Sequence, residues 1–579
     1  MRASVADRLV EMMVAAGICR IYGMAGDSLN PLMEALQRHP QLQWVPVRHE
    51  ETAALAASAE SQLSGGIAAC CGSCGPGSIH LLNGLYDAHR SHAAVLVLAA
   101  HVPTVLMGSG TIQEIHPTLC FRECTAYLEL ATCPEQAVGA MAQALRTARA
   151  QRDVGMVVLP GDVAAMPAAP SLPGGELAPL PESSLLRPTE EALEKLLRLL
   201  AESPRVSFLC GAGCAGAAQD IIALAGRLKA PIAYTLRGKE IMEAENPYAV
   251  GMTGLLGWGG ALHAVLDCDV LVLWGTDFPY PEFLPRQAHM VQVDTDAAAL
   301  GRRGKLALAI HADAGATARV LLHRVPPTRA DDFLQQSLNF HAREVAAISA
   351  AFHRVEERAA LRPELLTRLL SDHAETDTIF TVDTGTPDIW CARYLQAGGR
   401  RRIIGSFRHA SMGCALAMAI GAKSTYPSRQ VVALCGDGGL AMLGGELLTL
   451  LQENLAVKVL VYNNSELDFV ALQQRGQGMP QSFGTRLRPT HFAAVAKAMG
   501  MAAWRVECAQ ELIPALRAWL AAPGPALLDA AVDSHALPLP PEMSYMRSLG
   551  FCRGIDEQSL HGELDSVKRL LFGNRRFFL

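Results

Sequence analysis

The sequence predicts an α/β protein with three doubly wound parallel-sheet domains and a C-terminal tail. Short apolar runs alternate with longer stretches of helical periodicity, as expected for parallel strands that helices cover on both faces. Several of these runs end in glycine-rich turns, which are typical of strand-to-helix connections in such sheets. Half of the 579 residues are hydrophobic and 18% are charged, so the chain can bury large cores and is not intrinsically disordered.

Three consecutive segments repeat the order of strand, glycine-rich turn and helix. The first, residues 1–182, contains the runs IAACCG, AAVLVLAA and GMVVLPGD. A stretch rich in Pro, Gly and Ser then marks a linker, and the second segment, 183–335, follows it. The third, 336–535, contains IFTVDTG, QVVALCGDGG and VKVLVYNN, and residues 536–579 form the predicted tail.

Composition also excludes several classes of protein. The formal net charge is −6 and no basic stripe is present, which argues against a nucleic-acid partner. No apolar run approaches the ~20 residues of a spanning helix, and the N-terminus reads as an amphipathic helix rather than a signal peptide. The 15 cysteines are spread along the chain, as in a reduced cytoplasmic protein. Cys70, Cys71 and Cys74 lack a second ligand pair, so packing at a strand end is favoured over a metal site.

Two apolar runs of the third segment end in small polar residues. Asp437 lies in a GDG turn after one run, and Asn464 closes the next. The helical pattern over 441–455 joins them, so both residues should lie at the same edge of neighbouring parallel strands. Carboxylate and amide oxygens suit Mg²⁺, and Gly438 and Gly439 allow a diphosphate to approach the backbone. A glycine-rich turn followed by a capping asparagine is the structural alternative.

This spacing resembles the thiamine diphosphate signature of the pyruvate oxidase and acetolactate synthase family. The resemblance continues through RHEETAALAASAESQLSG, GSCGPGSIHLLNGLYDAHRSH, GTDFPY and RRIIGSFRHASMG, so that it covers essentially the whole chain. Within the family it is closest to the quinone-reducing pyruvate dehydrogenases of bacteria. It implies a thiamine diphosphate-binding PYR domain, a central FAD-binding domain and a Mg²⁺-binding PP domain, in that order.

The resemblance assigns roles to individual residues. Asp437, Asn464 and the main-chain carbonyl of Glu466 match the Mg²⁺ ligands. Glu50, which the residues alone would make a solvated helix start, matches the glutamate that hydrogen-bonds the aminopyrimidine ring and promotes loss of the thiazolium C2 proton. Gln113 and Phe469 are predicted to be catalytic with it. Further cofactor contacts are implied at Ala410, Ser411, Met412, Gly438, Gly439, Ser465, Leu467, Asp468, Phe469 and Val470.

The second segment carries a possible dinucleotide site. GAGCAG at 211–216 fits GxGxxG, but no ribose-binding acid follows at the expected distance, so the sequence does not predict an NAD site. The resemblance implies FAD instead, which can accept two electrons. The implied FAD contacts are Thr253, Gly254, Leu255, Leu256, Thr276, Asp277, Phe278, Pro279, Tyr280 and Asp294.

These assignments predict oxidative decarboxylation of pyruvate, or a close 2-oxo acid, to acetate and CO₂, with electrons passing through FAD to a membrane quinone such as ubiquinone. In the family the thiamine site lies between two subunits, which implies at least a homodimer and by resemblance a homotetramer. The tail ends in LDSVKRLLFGNRRFFL, whose basic and aromatic residues suit a lipid surface. The expected location is the cytoplasm, peripherally on the inner face of the cell membrane. Docking of the tail on its own domain is the alternative.

Three positions depart from the pattern of the quinone-reducing relatives. Ile112, Thr384 and Asp468 stand where those enzymes have Phe, Val and Gly. A carboxylate in the pocket would repel an anionic 2-oxo acid, so Asp468 is expected to face solvent. Two other functions stay open: an acetolactate synthase-like carboligase with structural FAD, and a regulatory paralogue. The intact Glu50 and Asp437 argue against the paralogue.

Overall fold

The computed structural model describes most of the chain. The described residues are 3–168, 185–326, 330–352, 360–477, 479, 481–534 and 536. The predicted tail from 537 onward lies outside them. No helix within the described ranges is long and apolar enough to cross a membrane.

The first domain is a parallel sheet with helices on both faces. Its strands are β1 (Arg20–Gly23), β2 (Gln43–Pro46), β3 (Ala68–Gly72), β4 (Val95–His101), β5 (Tyr127–Leu130) and β6 (Val154–Pro160). Its helices are α1 (Val5–Ala15), α2 (Asn30–Arg38), α3 (Glu50–Ser64), α4 (Pro76–His80), α5 (Leu82–Ser91), α6 (Pro117–Cys120), α7 (Pro134–Gln151) and α8 (Gly161–Ala165). The strand order is β2-β1-β3-β4-β6-β5. Strands β3, β4 and β6 are buried along their whole length, which explains their uninterrupted apolar sequences.

The second domain has a seven-stranded sheet. Its strands are β7 (Val206–Cys210), β8 (Ile232–Tyr234), β9 (Ala249–Met252), β10 (Trp258–Gly259), β11 (Val270–Trp274), β12 (His289–Asp294) and β13 (Leu308–His311). Its helices are α9 (Glu190–Glu202), α10 (Ala218–Leu228), α11 (Lys239–Met242), α12 (Ala261–Leu266), α13 (Ala314–Arg324) and α14 (Asp332–Phe352). The order is β10-β9-β8-β7-β11-β12-β13, and only the short β10 is antiparallel to its neighbour. The His341 ring of α14 lies 5.0 Å from that of Trp258, so this helix packs on the second sheet and spans the predicted boundary at 335.

The third domain repeats the topology of the first. Its strands are β14 (Ile379–Val382), β15 (Arg402–Gly405), β16 (Val431–Gly436), β17 (Val457–Asn463), β18 (Ala502–Val506) and β19 (Ala526–Ala531). Its helices are α15 (Pro363–His373), α16 (Thr386–Tyr394), α17 (Cys414–Thr425), α18 (Asp437–Leu443), α19 (Leu447–Gln452), α20 (Asp468–Gly476), α21 (Phe492–Ala498) and α22 (Ala509–Ala521). The order β15-β14-β16-β17-β19-β18 matches the first sheet strand for strand. The helical pattern over 441–455 is interrupted, because Gly444 and Gly445 form a 3₁₀ turn between α18 and α19.

Each sheet has a point at which the chain reverses the direction in which strands are added. It lies between β1 and β3 in the first sheet, between β7 and β11 in the second, and between β14 and β16 in the third. Ligands of open α/β sheets bind outside the carboxyl ends of the strands at such points. We call these three places the first-, second- and third-sheet edges.

The first and third domains share one core through helices α3 and α17. A side chain at Gly421 of α17 would collide with the carbonyl of Ala56 in α3, so the two helix backbones are in contact. Near the other end of α3, the carboxylate of Glu60 pairs with Arg20 at 2.7 Å and accepts the hydroxyl of Tyr22 at 2.6 Å. Thr425 of α17 lies 3.5 Å from Arg20. This packing places the N-terminus of α3, and with it Glu50, against the third domain.

Candidate active site

The third-sheet edge brings the predicted metal ligands together. Strands β16 and β17 are parallel neighbours, with Gly436 in register with Tyr462. Asp437 therefore begins α18 beside the turn that follows β17, and its Oδ2 accepts the N–H of Ser465 at 2.6 Å. In that turn the side-chain oxygen of Asn464 accepts the N–H of Glu466 at 3.1 Å. The carboxylate and the amide oxygen thus both accept main-chain N–H groups of the turn that follows β17.

Buried carboxyl groups dominate the charge at this edge. Asp437 is 5% exposed, and its described contacts are backbone N–H groups rather than a basic side chain. Burial raises its pKa to about 6. Burial likewise raises the pKa of Asp383, which follows β14, to about 7. A divalent cation would compensate this unbalanced charge, and the hard oxygen donors fit Mg²⁺.

Two glycines allow close packing at the third-sheet edge. A Cβ on Gly439 would collide with the carboxylate of Asp383. A Cβ on Gly438 would lie 2.7 Å from Leu467 and 3.5 Å from the methyl of Met412. Both positions therefore require glycine, because Asp383 and Leu467 pack directly against the backbone of the GDG turn, and Met412 lies beside it. Glycine also leaves this backbone without side-chain cover, which a diphosphate held through Mg²⁺ would need.

The side chain of Glu466 holds the turn that follows β17. Its Oε1 accepts the hydroxyls of Ser482 at 2.7 Å and Thr485 at 2.9 Å, and its Oε2 lies 3.5 Å from Arg475. The side chain is thus engaged in holding the turn, and the role of the main-chain carbonyl as a ligand stays a prediction. The other predicted residues here are half-buried or exposed: Asn464, Ser465, Leu467, Phe469 and Val470.

Asp468 is buried, so the expectation that it faces solvent was wrong. The side chain is 5% exposed, and its Oδ1 has no hydrogen-bond partner within the described residues. Burial raises its pKa to about 8, and the neighbouring Glu466 and Asp437 act in the same direction. The carboxyl group of Asp468 therefore holds its proton more tightly than an exposed aspartate does. Of the other two departures, Ile112 is 86% exposed and Thr384 is half-buried.

Glu50 is buried at the first-sheet edge rather than solvated. It begins α3, is 4% exposed, and its Oε2 lies 2.9 Å from Nδ1 of His80. The His80 ring stacks on that of His49, with centroids 4.4 Å apart. Sequence reasoning missed His80 as a partner, although it lies inside the GPGSIHLLN motif. Its side chain fixes one carboxylate oxygen of Glu50 and leaves the other available.

Gln113 lies at the same edge. Its backbone adopts a left-handed conformation, with φ at +65°, and its side-chain oxygen accepts the thiol of Cys74 at 3.2 Å. Cys74 belongs to the glycine-rich turn that follows β3, next to the segment that carries His80. Gln113 is itself exposed, so the structure leaves its side chain open to a ligand at this edge.

The predicted run 410–412 contacts the first domain of the same chain. The hydroxyl of Ser411 accepts the Asn83 amide at 2.7 Å, and the Asn83 oxygen lies 2.9 Å from His409. The same amide reaches Glu51 at 2.6 Å, beside Glu50. Ala410 is exposed, with φ at +63°. The prediction that a second subunit completes the thiamine site stays a prediction.

The second-sheet edge is lined by glycine backbone. The N–H of Gly211 bonds the carbonyl of Trp274, and that of Gly213 bonds the carbonyl of Gly275, each at 3.0 Å. Nearby, the hydroxyl of Thr253 is buried without a partner in the described part of the chain. The remaining predicted FAD contacts differ in exposure. Three are buried (Gly254, Thr276 and Phe278), five are half-buried (Leu255, Leu256, Asp277, Tyr280 and Asp294), and Pro279 is exposed.

Positive charge dominates the second-sheet edge. Asp277 pairs with Arg302 at 2.9 Å and Arg303 at 3.0 Å, and Arg408 of the third domain approaches it to 3.6 Å. Three guanidinium groups therefore surround the Asp277 carboxylate, and Arg302 also lies 3.9 Å from Asp296. Guanidinium groups suit the diphosphate of a dinucleotide, and the unpaired Thr253 hydroxyl offers a hydrogen bond. The residues present fit FAD.

Comparisons with known proteins agree with this architecture. Residues 3–119 match the N-terminal TPP binding domain of thiamine pyrophosphate enzymes, TPP being thiamine diphosphate. Residues 193–321 match the central domain of these enzymes, and 383–530 match their C-terminal TPP binding domain. Each of the three matches lies within one of the three domains.

Three relatives span most of the chain. The putative thiamine pyrophosphate-containing protein YdaP of Bacillus subtilis is 30% identical over 94% of this chain and 94% of its own length. Pyruvate oxidase of Lactiplantibacillus plantarum is 30% identical over 92% of this chain and 89% of its own length. A probable acetolactate synthase large subunit of Methanocaldococcus jannaschii is 26% identical over 98% of each chain.

Proposed function

Because the chain belongs to the family of thiamine pyrophosphate enzymes, we propose that it is a flavin- and thiamine diphosphate-dependent oxidase of 2-oxo acids. Its substrate is pyruvate or a close analogue, and its products are acetate and CO₂. The similarity to pyruvate oxidase and to acetolactate synthase supports the wider class of decarboxylases, oxidases and carboligases. The choice of oxidation within that class rests on the second-sheet edge.

Each edge has a defined task in this proposal. Asp437, Asn464 and the carbonyl of Glu466 hold Mg²⁺ and through it a diphosphate. When bound, thiamine diphosphate supplies an acidic carbon that attacks the substrate carbonyl, and FAD supplies a two-electron acceptor. Glu50 exchanges a proton with the aminopyrimidine ring through the oxygen that His80 leaves free. Gln113 and Phe469 contact the substrate.

The contact between Asp277 and Arg408 is the observation that carries the proposal. Asp277 belongs to the segment that matches FAD contacts, and Arg408 precedes the run 410–412 that matches thiamine contacts. Their 3.6 Å approach brings these two matched segments together within one chain. A flavin held there has a short path to the thiamine site, which an oxidase needs and a carboligase with structural FAD does not.

Anaerobic reduction of the bound flavin tests this proposal. Addition of pyruvate to the purified protein, loaded with thiamine diphosphate, Mg²⁺ and FAD, should bleach the flavin absorbance with release of acetate and CO₂. Formation of acetolactate while the flavin stays oxidised would support the carboligase instead. Absence of both reactions with pyruvate and with larger 2-oxo acids would favour the regulatory paralogue.

The membrane part of the proposal depends on the tail, whose residues from 537 lie outside the described structure. Its basic and aromatic residues suit an anionic lipid surface, where a reduced flavin reaches a dissolved quinone. A comparison of electron acceptors tests this step: deletion from Leu564 onward should lower quinone reduction in liposomes and preserve reduction of a soluble dye. Equal quinone reduction by both forms would argue for a tail docked on its own domain.

We also propose a homotetramer, with a second subunit completing each thiamine site.

A further inference from the structure

Glu446 reaches from the third domain to the backbone immediately before Glu50. It closes the 3₁₀ turn after α18, nine residues beyond Asp437, and is 1% exposed. Its Oε1 accepts the N–H groups of Arg48 and His49, each at 3.0 Å. Its Oε2 accepts the hydroxyl of Thr449 at 2.6 Å. A buried carboxylate of one domain thus satisfies two donors in the turn that leads into α3 of another.

The burial of the Glu446 carboxylate is not explained by the need to cap α3. Burial of a carboxylate is unfavourable without strong hydrogen bonds, and donors at the start of a helix are commonly satisfied by a local capping residue. Here His49 already caps α3 by accepting the N–H of Glu51 at 3.3 Å. The two donors that Glu446 binds are the N–H groups of this cap residue and of Arg48 before it, where the chain enters the helix. A second contact from α19, between Gln452 and the Arg48 side chain, lies at the exposed rim.

We propose that Glu446 is a positioning residue that holds the backbone of Arg48 and His49 and thereby orients Glu50. The inference rests on the proposed role of Glu50 in proton transfer. It assigns a function to the segment from Asp437 to Glu446, which connects the cation-binding edge of the third domain to the acid–base carboxylate of the first. A displacement of about 1 Å at a reacting group can cost roughly 100-fold in rate, so a clamp at this point has a measurable effect.

Two measurements on Glu446→Ala test the proposal. The first is amide hydrogen exchange at Arg48 and His49 in protein without cofactors, where both amides should lose protection by about 10-fold or more. The second is hydrogen–deuterium exchange at C2 of thiamine diphosphate in the loaded protein, which should slow by roughly 10- to 100-fold. The affinity for thiamine diphosphate should change by less than about 3-fold, because the metal ligands are untouched.

Two further variants separate positioning from interface stability. Glu446→Gln keeps an oxygen acceptor at the same place, so it should restore most of the amide protection and of the C2 exchange rate. Gln452→Ala removes the rim contact at the same interface and should leave both unchanged. If Glu446→Ala does not fold, Glu446→Asp, which withdraws the carboxylate by one methylene, should show the same pattern more weakly.

The outcomes distinguish this inference from the proposed function. Unchanged amide protection in Glu446→Ala, or lost protection with an unchanged C2 exchange rate, would overturn the positioning role. Equal losses in Glu446→Gln and Glu446→Ala would also overturn it, because the acceptor would then not be the essential feature. The proposed role of Glu50 fails separately, and only if Glu50→Gln leaves C2 exchange unchanged. The amide measurement requires no cofactor and is independent of that result.

Discussion

The second- and third-sheet edges have the same backbone design and opposite charge. Both lie at a reversal point of a parallel sheet, and both are lined by glycine. At the third, burial raises the pKa of Asp383, Asp437 and Asp468, and Asp437 has no basic partner among the described residues. At the second, three arginines surround Asp277. The third-sheet edge therefore suits a cation, whereas the second-sheet edge suits an anion. The side chains that follow the strands, and not the sheet, decide which group each edge fits.

Replacement of Asp437 by Ala should have the largest effect, because it removes the carboxylate ligand of the edge that suits a cation. The affinity for thiamine diphosphate in excess Mg²⁺, measured by titration calorimetry, should fall more than about 100-fold, since even outer partners of metal ligands cost 10- to 100-fold. The affinity of this variant for FAD should be unchanged. The control Asp372→Ala, whose carboxylate is 41% exposed, should keep its affinity for thiamine diphosphate. Retained binding in the variant would refute the metal assignment.

Glu50→Gln should produce the next largest effect while both edges stay occupied. The C2 exchange rate of bound thiamine diphosphate should fall roughly 10²- to 10⁴-fold, the usual contribution of general acid–base catalysis. Binding of both cofactors should persist, because Glu50 belongs to neither edge. Glu34→Gln, at a carboxylate that is 72% exposed, provides the matched control. Normal exchange in Glu50→Gln would show that another group activates the cofactor.

Arg408→Gln should weaken the second-sheet edge selectively. Loss of one charge-assisted interaction should lower FAD affinity about 10-fold, and the loss should shrink at high salt because Arg408 is partly exposed. Thiamine diphosphate affinity should change less than about 3-fold. Arg400→Gln, at a side chain that is 84% exposed, is the control. A variant that loses thiamine binding but keeps FAD would reverse the assignment of the two edges.

The smallest effect concerns stability and pH. Burial raises the pKa of Asp383 from 3.8 to about 7, so the folded protein binds this proton more tightly than the unfolded chain does. The free energy of unfolding should therefore fall as pH rises from about 4 to about 7, and Asp383→Asn should remove this component. In denaturant titrations, the free energy of unfolding of the variant minus that of the wild type should rise by on the order of 1–3 kcal/mol from pH 4 to pH 8. A difference independent of pH would mean that Asp383 is ionised in the folded state.

The sequence predicted the strands and the third-sheet edge well. Buried parallel strands are continuous apolar runs, so β3, β4, β6, β16 and β17 are visible without tertiary information. The spacing between Asp437 and Asn464 was also enough to predict that they follow neighbouring strands, because one short connection joins β16 to β17 and brings their carboxyl ends together. The three-domain fold follows from the same local patterns, and the family comparisons match all three domains.

The tertiary structure alone decided which polar groups are buried and which residues hold them. The bond from His80 to Glu50, the inward-facing Asp468 and the clamp of Glu446 on Arg48 have no signature in periodicity or spacing. Glu446 and Arg48 are separated by 398 positions, and they meet because α3 packs on α17. Periodicity records which face of one element is apolar, and carries no information about which element will cover that face. Burial, and the electrostatics that burial creates, therefore arise only when the domains pack together.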